Sequence, residues 1–333
     1  MAVRVAIVGM GGIGNTHGGC YAADDLAEIV AVCDIIKERA DAAAEKYGCP
    51  AFYSVKELLA SDIQIDAASM CTAGAENGGD HYEPTMALLQ GGIPTLGEKP
   101  ISNDVQHGRE MVALAKEKNL PYAVDLNHRF TPAALRAKEW IEQGRLGTPH
   151  LINMRMWINN PNESSVWFHL RALHPHSIDV MRYFCGEVTS VHMFCMKGEG
   201  RQIWSNAHVN MMFDTGMIGH LTGSYDAGGS YGLEQCDIVG SKGRFVIDDA
   251  CEVLTYYPRN SQEMETFHYL GGMMGFGETF ASRIHRWLEQ LTEGVSPDEV
   301  DGSGYDALKA QLIIEAAIES WETKSVVDVN YDL

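Results

Sequence analysis

Basic residues are scarce in this chain. Lys and Arg number 25 against 45 Asp and Glu, a formal net charge of −20 over 333 residues. Neutralising phosphates needs clustered Lys and Arg, so no nucleic-acid partner is expected. Docking on anionic lipid is disfavoured for the same reason. No apolar run approaches the ~18 residues of a membrane span, so no membrane partner is expected either. The opening MAVRVAIVGMGG runs from a short apolar stretch straight into glycines, the pattern of a first strand and not of a signal peptide. The eight cysteines include no C-x-x-C pair, and no Cys/His cluster has zinc spacing. They read as reduced, mostly buried thiols in a cytoplasmic protein, and no metal is expected. Internal repeats and low-complexity segments are absent.

What is present is ordinary globular composition, 45% hydrophobic and 21% charged, long enough for two domains. The first third alternates strand and helix. Apolar, β-branched segments at 4–8, 29–33, 65–71, 94–97 and 122–125 read as strands. Segments 36–47, 82–90 and 104–118 read as helices, and Ser54 with Glu57 forms a capping box. This order predicts an α/β fold with a doubly wound parallel sheet over 1–125. Beyond it, Thr131-Pro132 marks a helix start and Gly144 its end. Strands then dominate: 149–158, 188–196, 207–213, 217–224, 236–239 and 244–248. A short helix over Pro175–Phe184 interrupts them, and long helices follow over 278–293 and 304–323. Gly-containing turns such as Asp214-Thr215-Gly216 predict a mainly antiparallel sheet in a second α/β domain, 126–333.

Gly9-Met10-Gly11-Gly12-Ile13-Gly14 fits G-x-G-x-x-G directly after the first strand. Gly9 makes the turn, Gly11 admits a pyrophosphate to the backbone, and Gly14 allows close helix–strand packing. Asp34 ends the second strand 20 residues after Gly14. A carboxylate there binds ribose hydroxyls and repels a 2′-phosphate, so NAD is preferred; Lys37 and Arg39 keep NADP as the lesser alternative.

These features, with Cys71-Thr72, His81, the Glu98-Lys99-Pro100 tripeptide, His176-Ser177-Ile178-Asp179 and the segment 237–244, resemble the Gfo/Idh/MocA oxidoreductase family over nearly the whole chain. The resemblance implies oxidation of a sugar, glycoside or cyclitol hydroxyl with NAD(P), or the reverse reduction, as in inositol and other sugar dehydrogenases of carbohydrate metabolism. It places Lys99 at the reacting oxygen and makes His176 the catalytic histidine. Cofactor contacts map to Gly9, Gly11, Gly12, Ile13, Gly14, Asp34, Ile35, Arg39, Cys71, Thr72, Ala73, His81, Glu98, Lys99 and Asn127. It also implies a Rossmann domain followed by an α/β domain with a large open sheet for substrate binding and oligomerisation, and a homodimer or homotetramer, since an open sheet would otherwise leave an apolar face wet.

The residue types suit that chemistry. An imidazole accepts a hydroxyl proton near neutrality, and an ammonium stabilises a developing alkoxide. Next to a cationic nicotinamide Lys99 is itself a possible base, and the residues leave open which group removes the proton. His176, placed in the first turn of a helix after Pro175, is expected to be held neutral by the helix's positive end. Many members of the family carry an aspartate four residues before this histidine, where this chain has Ala172. Asp179, His174 or Arg171 is expected to substitute in part. His128, Arg129, Trp157, Asn159, Trp167 and His169 complete the expected substrate site, because aromatic faces and polar groups together suit a polyhydroxylated ring. Met211-Met212 and Met273-Met274 read as packing, the glycines at 271, 272, 275 and 277 as a mobile loop, and His17 and His220 as structural. Two rivals stand beside the dehydrogenase: an NAD-dependent glycosidase working by transient oxidation and elimination, and a non-catalytic NAD-binding sensor.

Overall fold

The structure is a computed structural model and is described for residues 2–73, 80–228, 233–248, 251–269 and 276–332. Internal packing divides the chain into two units, the first up to 126 together with 280–308, the second 127–279 with 309–332.

The first unit runs β1 (Val3–Val8), α1 (Gly12–Ala23), β2 (Ala27–Cys33), α2 (Lys37–Tyr47), β3 (Ala51–Phe52), α3 (Val55–Leu59), β4 (Ala67–Met70), α4 (Tyr82–Gln90), β5 (Thr95–Gly97), α5 (Val105–Glu117) and β6 (Tyr122–Val124). Its six strands are all parallel, in the order β3-β2-β1-β4-β5-β6. Strand order therefore reverses between β1 and β4, the place where a doubly wound sheet opens a crevice at the strands' carboxyl ends. Local signals set the element ends. Gly48, in the left-handed region at φ 68°, stops α2, and the Ser54 hydroxyl accepts from the Glu57 N–H to start α3.

The second unit runs α6 (Pro132–Glu142), β7 (Pro149–Trp157), α7 (Phe168–Cys185), β8 (Val188–Met196), β9 (Asn206–Phe213), β10 (Ile218–Ser224), β11 (Leu233–Gly240), β12 (Gly243–Asp248), β13 (Val253–Pro258) and β14 (Glu265–His268). After it come α8 (Phe276–Glu293), α9 (Gly304–Thr323) and β15 (Val327–Asp328). The nine-stranded sheet has the order β14-β13-β12-β11-β7-β10-β9-β8-β15. It is antiparallel except between β7 and β10. One face packs on α7, with Met154, Met156, Leu221, Cys236 and Ile238 in a common core with Leu173, Ile178 and Met181.

Strand alternation gives the first sheet two apolar faces. Ala6 and Val8 meet Leu58, Met70 and Leu88 on one side. Val3, Val5 and Ile7 meet Tyr21 of α1 and Ile284, Trp287 and Leu288 of α8 on the other. This corrects the expected continuous second domain, 126–333: residues 280–308 pack with the first unit. Helical periodicity announces an apolar face but not the sheet it covers.

Two further differences matter. The helix expected over Pro175–Phe184 begins at Phe168 and carries Pro175 in its interior. β13 and β14 extend the open sheet beyond the strands expected. Met211 is buried as expected, but Met212 points to the outer face and is 43% exposed. Met273-Met274 and the glycines at 271, 272 and 275 lie outside the described residues. No helix among the described residues is long and apolar enough to cross a membrane.

Candidate active site

In the first unit, chemistry gathers directly behind the parallel strands. Gly9, Asp34, Cys71, Glu98 and Asp125 each occupy the residue immediately after β1, β2, β4, β5 and β6. At Gly9 φ is 91°, and a Cβ would lie 2.7 Å from the Thr72 nitrogen. At Gly14 a Cβ would lie 1.8 Å from the Gly9 carbonyl oxygen. Only glycine fits either place, so the loop and the end of β4 are in backbone contact. Gly11 and Gly12 differ: a Cβ on Gly12 meets nothing within 4 Å, and on Gly11 only the Arg39 guanidinium at 3.9 Å. No side chain caps α1, so its first N–H groups are left for a ligand, a fit for a pyrophosphate. Asp34 accepts from the Met10 N–H at 2.6 Å and the Ile36 N–H at 2.8 Å. Its carboxylate is thereby fixed at the loop's edge. Ile13 and Ile35 are 43% and 84% exposed, apolar surface of the kind an adenine-bearing group covers. These residues fit a dinucleotide.

Lys99 is half-buried, its N–H within 3.2 Å of Glu98 Oε2, and the Lys99–Pro100 peptide is cis. Glu98 belongs to a buried cluster that the sequence reading missed. His17 Nε2 lies 3.0 Å from Glu98 and 3.3 Å from Asp125, and His17 Nδ1 lies 2.8 Å from the Ser69 hydroxyl. Burial opposes the His17 imidazolium, yet Cys71, Asp125 and Glu98 outweigh it and raise its pKa well above the usual value. Burial pushes both carboxyls up. For Glu98 the pull of His17 and Lys99 prevails and its pKa is lowered, whereas that of Asp125 is raised. Of the two, Glu98 gives up its proton the more readily. Asp125 was detectable, since it directly follows a parallel strand.

His81 is corrected. It is 2% exposed, with Nδ1 2.8 Å from the Pro100 carbonyl and Nε2 2.7 Å from that of Thr72. Burial lowers its pKa. Its ring clamps two loops together, and neither nitrogen is turned to a cofactor.

In the second unit, α7 carries Ala172 and His176 one turn apart on one face. His176 lies at its middle, away from the amide end, so the expected effect of a positive helix terminus on it does not arise. Its ring packs on that of His128, centroids 4.1 Å apart and planes at 30°. His128 sits in a one-turn 3-10 helix, Asn127–Phe130, and its Nδ1–H donates to Glu234 at 2.9 Å. Glu234, at the start of β11, was missed by the sequence reading.

The expected substitutes for the missing aspartate are engaged elsewhere. Asp179 accepts from Arg129 Nε at 2.6 Å and from a terminal guanidinium nitrogen, a buried ion pair. Arg171 makes two 2.8 Å bonds to Glu315. His174 and His169 are fully buried, joined Nε2 to Nε2 at 3.1 Å. His169 Nδ1 faces the Trp204 carbonyl at 3.2 Å and His174 Nδ1 the Ser177 hydroxyl at 3.0 Å. One assignment of neutral tautomers satisfies this chain. Burial lowers the pKa of His169 to about 4 and that of His174 well below its usual value. A Cβ on Gly223 would lie 1.9 Å from His174, so the pair rests on bare backbone. Trp167 is 7% exposed and stacks on Trp204.

His169 and His174 therefore belong to the core and are not available to substrate, a correction of the expected site, while Trp167 packs against the same core. Met156 lies in the core with α7. Trp157, the next residue, projects from the other face of β7, away from His176. Asn159 is exposed beside Asp226. Asn127 donates to Thr279 at 2.7 Å, while its buried Oδ1 has no partner among the described residues.

Comparison with known proteins shows the family. The profile of the GFO/IDH/MocA oxidoreductases, NAD-binding Rossmann fold, matches residues 3–126, and that of the GFO/IDH/MocA C-terminal domain matches 134–246. Inositol 2-dehydrogenase of Rhizobium meliloti is 23% identical over 99% of this chain and 100% of its own length. D-glucoside 3-dehydrogenase of Escherichia coli is 30% identical over 46% of this chain and 43% of its own. A levoglucosan dehydrogenase solved with NADH and levoglucosan superposes with a TM-score of 0.88 at 22% identity, covering 100% of both chains.

Proposed function

Since this chain belongs to the GFO/IDH/MocA family of NAD-binding oxidoreductases, we propose that it moves hydride between NAD and a secondary hydroxyl or ketone of a sugar, glycoside or cyclitol. The observation that carries this reading is the set of groups directly behind the parallel strands, with the glycine loop, Asp34 and Lys99 on neighbouring strand ends. Inositol, a D-glucoside and levoglucosan, named in the relatives, are all polyhydroxylated rings.

The nicotinamide, when bound, supplies the hydride acceptor. Asp34 holds the ribose hydroxyls and disfavours a 2′-phosphate. The Lys99 ammonium stabilises negative charge on the reacting oxygen, and ionised Glu98 supports that ammonium. His176 accepts the hydroxyl proton, its ring steadied by His128 and Glu234. The protein works in the cytoplasm as a homodimer or homotetramer. Phe194, Met196, Met212 and Ile218, each more than 40% exposed on adjoining strands of the open sheet, supply the apolar contact between copies, and a monomer in light scattering would contradict this.

The functional test follows nicotinamide absorbance while the protein and NAD are incubated with sugars, glycosides and inositols. Reduction of NAD with at least one of them is expected. Firm NAD binding with no absorbance change on any member of the panel would instead favour the glycosidase or the sensor.

A further inference from the structure

Beside His176 stands a second donor cluster, whose His128 and Glu234 steady the His176 ring and whose thiol hydride transfer does not use. Three side chains from separate elements converge: His128 from the 3-10 helix, Glu234 from β11, and Cys251 just before β13. One nitrogen, one carboxylate oxygen and one sulfur all lie within 4.8 Å of one another. His128 and Glu234 are buried and Cys251 is half-buried. Cys251 adopts φ 71°, a left-handed backbone uncommon outside glycine.

We propose that His128, Glu234 and Cys251 form a binding site for one divalent cation of the zinc type. The donor set decides the class. An imidazole, a carboxylate and a thiol suit a borderline-soft ion, whereas magnesium and calcium take oxygen donors. Charge also balances, since the carboxylate and the thiolate formed on binding neutralise a divalent ion. The S–H bond gives way to a sulfur–metal bond and its proton goes to solvent, while the Nδ1–H of His128 gives way to a nitrogen–metal bond and that proton moves to Nε2 of the neutral ring. Three protein donors leave one position of a tetrahedral ion open, as in sites that take up a small ligand. His128 already packs on His176, so an ion here adjoins the candidate catalytic histidine. The spacing of these residues, 106 and then 17 positions apart, matches no zinc motif, which is why the sequence pattern does not reveal them.

The test uses the full chain, stripped with a chelator and desalted. Cobalt(II) chloride is titrated in and the thiolate-to-cobalt charge-transfer and tetrahedral ligand-field bands are recorded. Zinc chloride is then followed by equilibrium dialysis with elemental analysis. One ion per chain is expected. The charge-transfer band should vanish in Cys251→Ser, and zinc affinity should fall roughly 10–100-fold or more in His128→Asn and Glu234→Gln. Thermal melts of each variant separate loss of the site from loss of the fold. No cobalt spectrum and no retained zinc in the folded wild-type chain overturns the proposal, as does binding unchanged in both Cys251→Ser and His128→Asn. Neither result bears on NAD binding, so the dehydrogenase reading stands or falls separately.

Discussion

The imidazole of His176 lies against that of His128, their centroids 4.1 Å apart, and Glu234 holds the outer ring by its Nδ1–H. Ala172, one turn before His176, has no carboxylate to orient the ring, so the steadying contact comes from another element. His176→Ala is expected to lower kcat by roughly 10²–10⁴, with NADH affinity unchanged in a fluorescence titration. If that variant keeps full turnover while Lys99→Ala abolishes it, the lysine is the base.

Asp34 bears on cofactor choice. Asp34→Asn removes the charge yet keeps one acceptor oxygen for the loop. The ratio of kcat/KM for NAD over NADP should fall roughly 10–100-fold, the worth of about 1.5–3 kcal/mol for a charge-assisted hydrogen bond. An unchanged ratio would remove Asp34 from the ribose site.

The glycines of the loop separate packing from binding. Gly14→Ala drives a methyl into the Gly9 carbonyl, 1.8 Å away. It should destabilise by roughly 1–3 kcal/mol or more, seen as a lower Tm. Gly11→Ala meets only the Arg39 side chain at 3.9 Å, so its Tm should hold while NAD binding weakens about tenfold or more. Equal losses of Tm in both variants would contradict this division.

The buried pair His169–His174 sets an acid limit. The folded chain holds His169 neutral down to about pH 4, whereas the unfolded chain protonates it near pH 6.5. Between those values the unfolded state takes up the proton, so stability falls as pH falls and this contribution changes no further below about pH 4. For His169 the loss is on the order of 3 kcal/mol. Urea midpoints recorded from pH 7 to 4 should decline. A flat profile would mean that the pair is not held neutral.

Much of the first unit was readable from its residues because glycine, strand and capping signals are local. Gly9, Gly14, Asp34 and Glu98 stand where loop and strand ends place them. Less was readable where one pattern has two meanings. Pro175 has the signature of a helix start, but Phe168, Leu170 and Leu173, all packed in the core, carry the helix through it. Aromatic and histidine residues near a cleft look alike in sequence whether they face a ligand or the core, and packing against Gly223 and Trp204 turned His169, His174 and Trp167 inward. Glu234 and Cys251 meet His128 only through strand pairing distant in the chain. The strand at Val253–Pro258 carried a β-branched and aromatic signal that was there to be used.

The return of α8 to the first sheet constrains how this protein is made. Ile284, Trp287 and Leu288 seal the face formed by Val3, Val5 and Ile7, so during synthesis the nucleotide-binding half stays unfinished until those late residues have left the ribosome. A fragment cut at the apparent end of that half would carry a bare hydrophobic surface, and any working excision has to splice this helix back on.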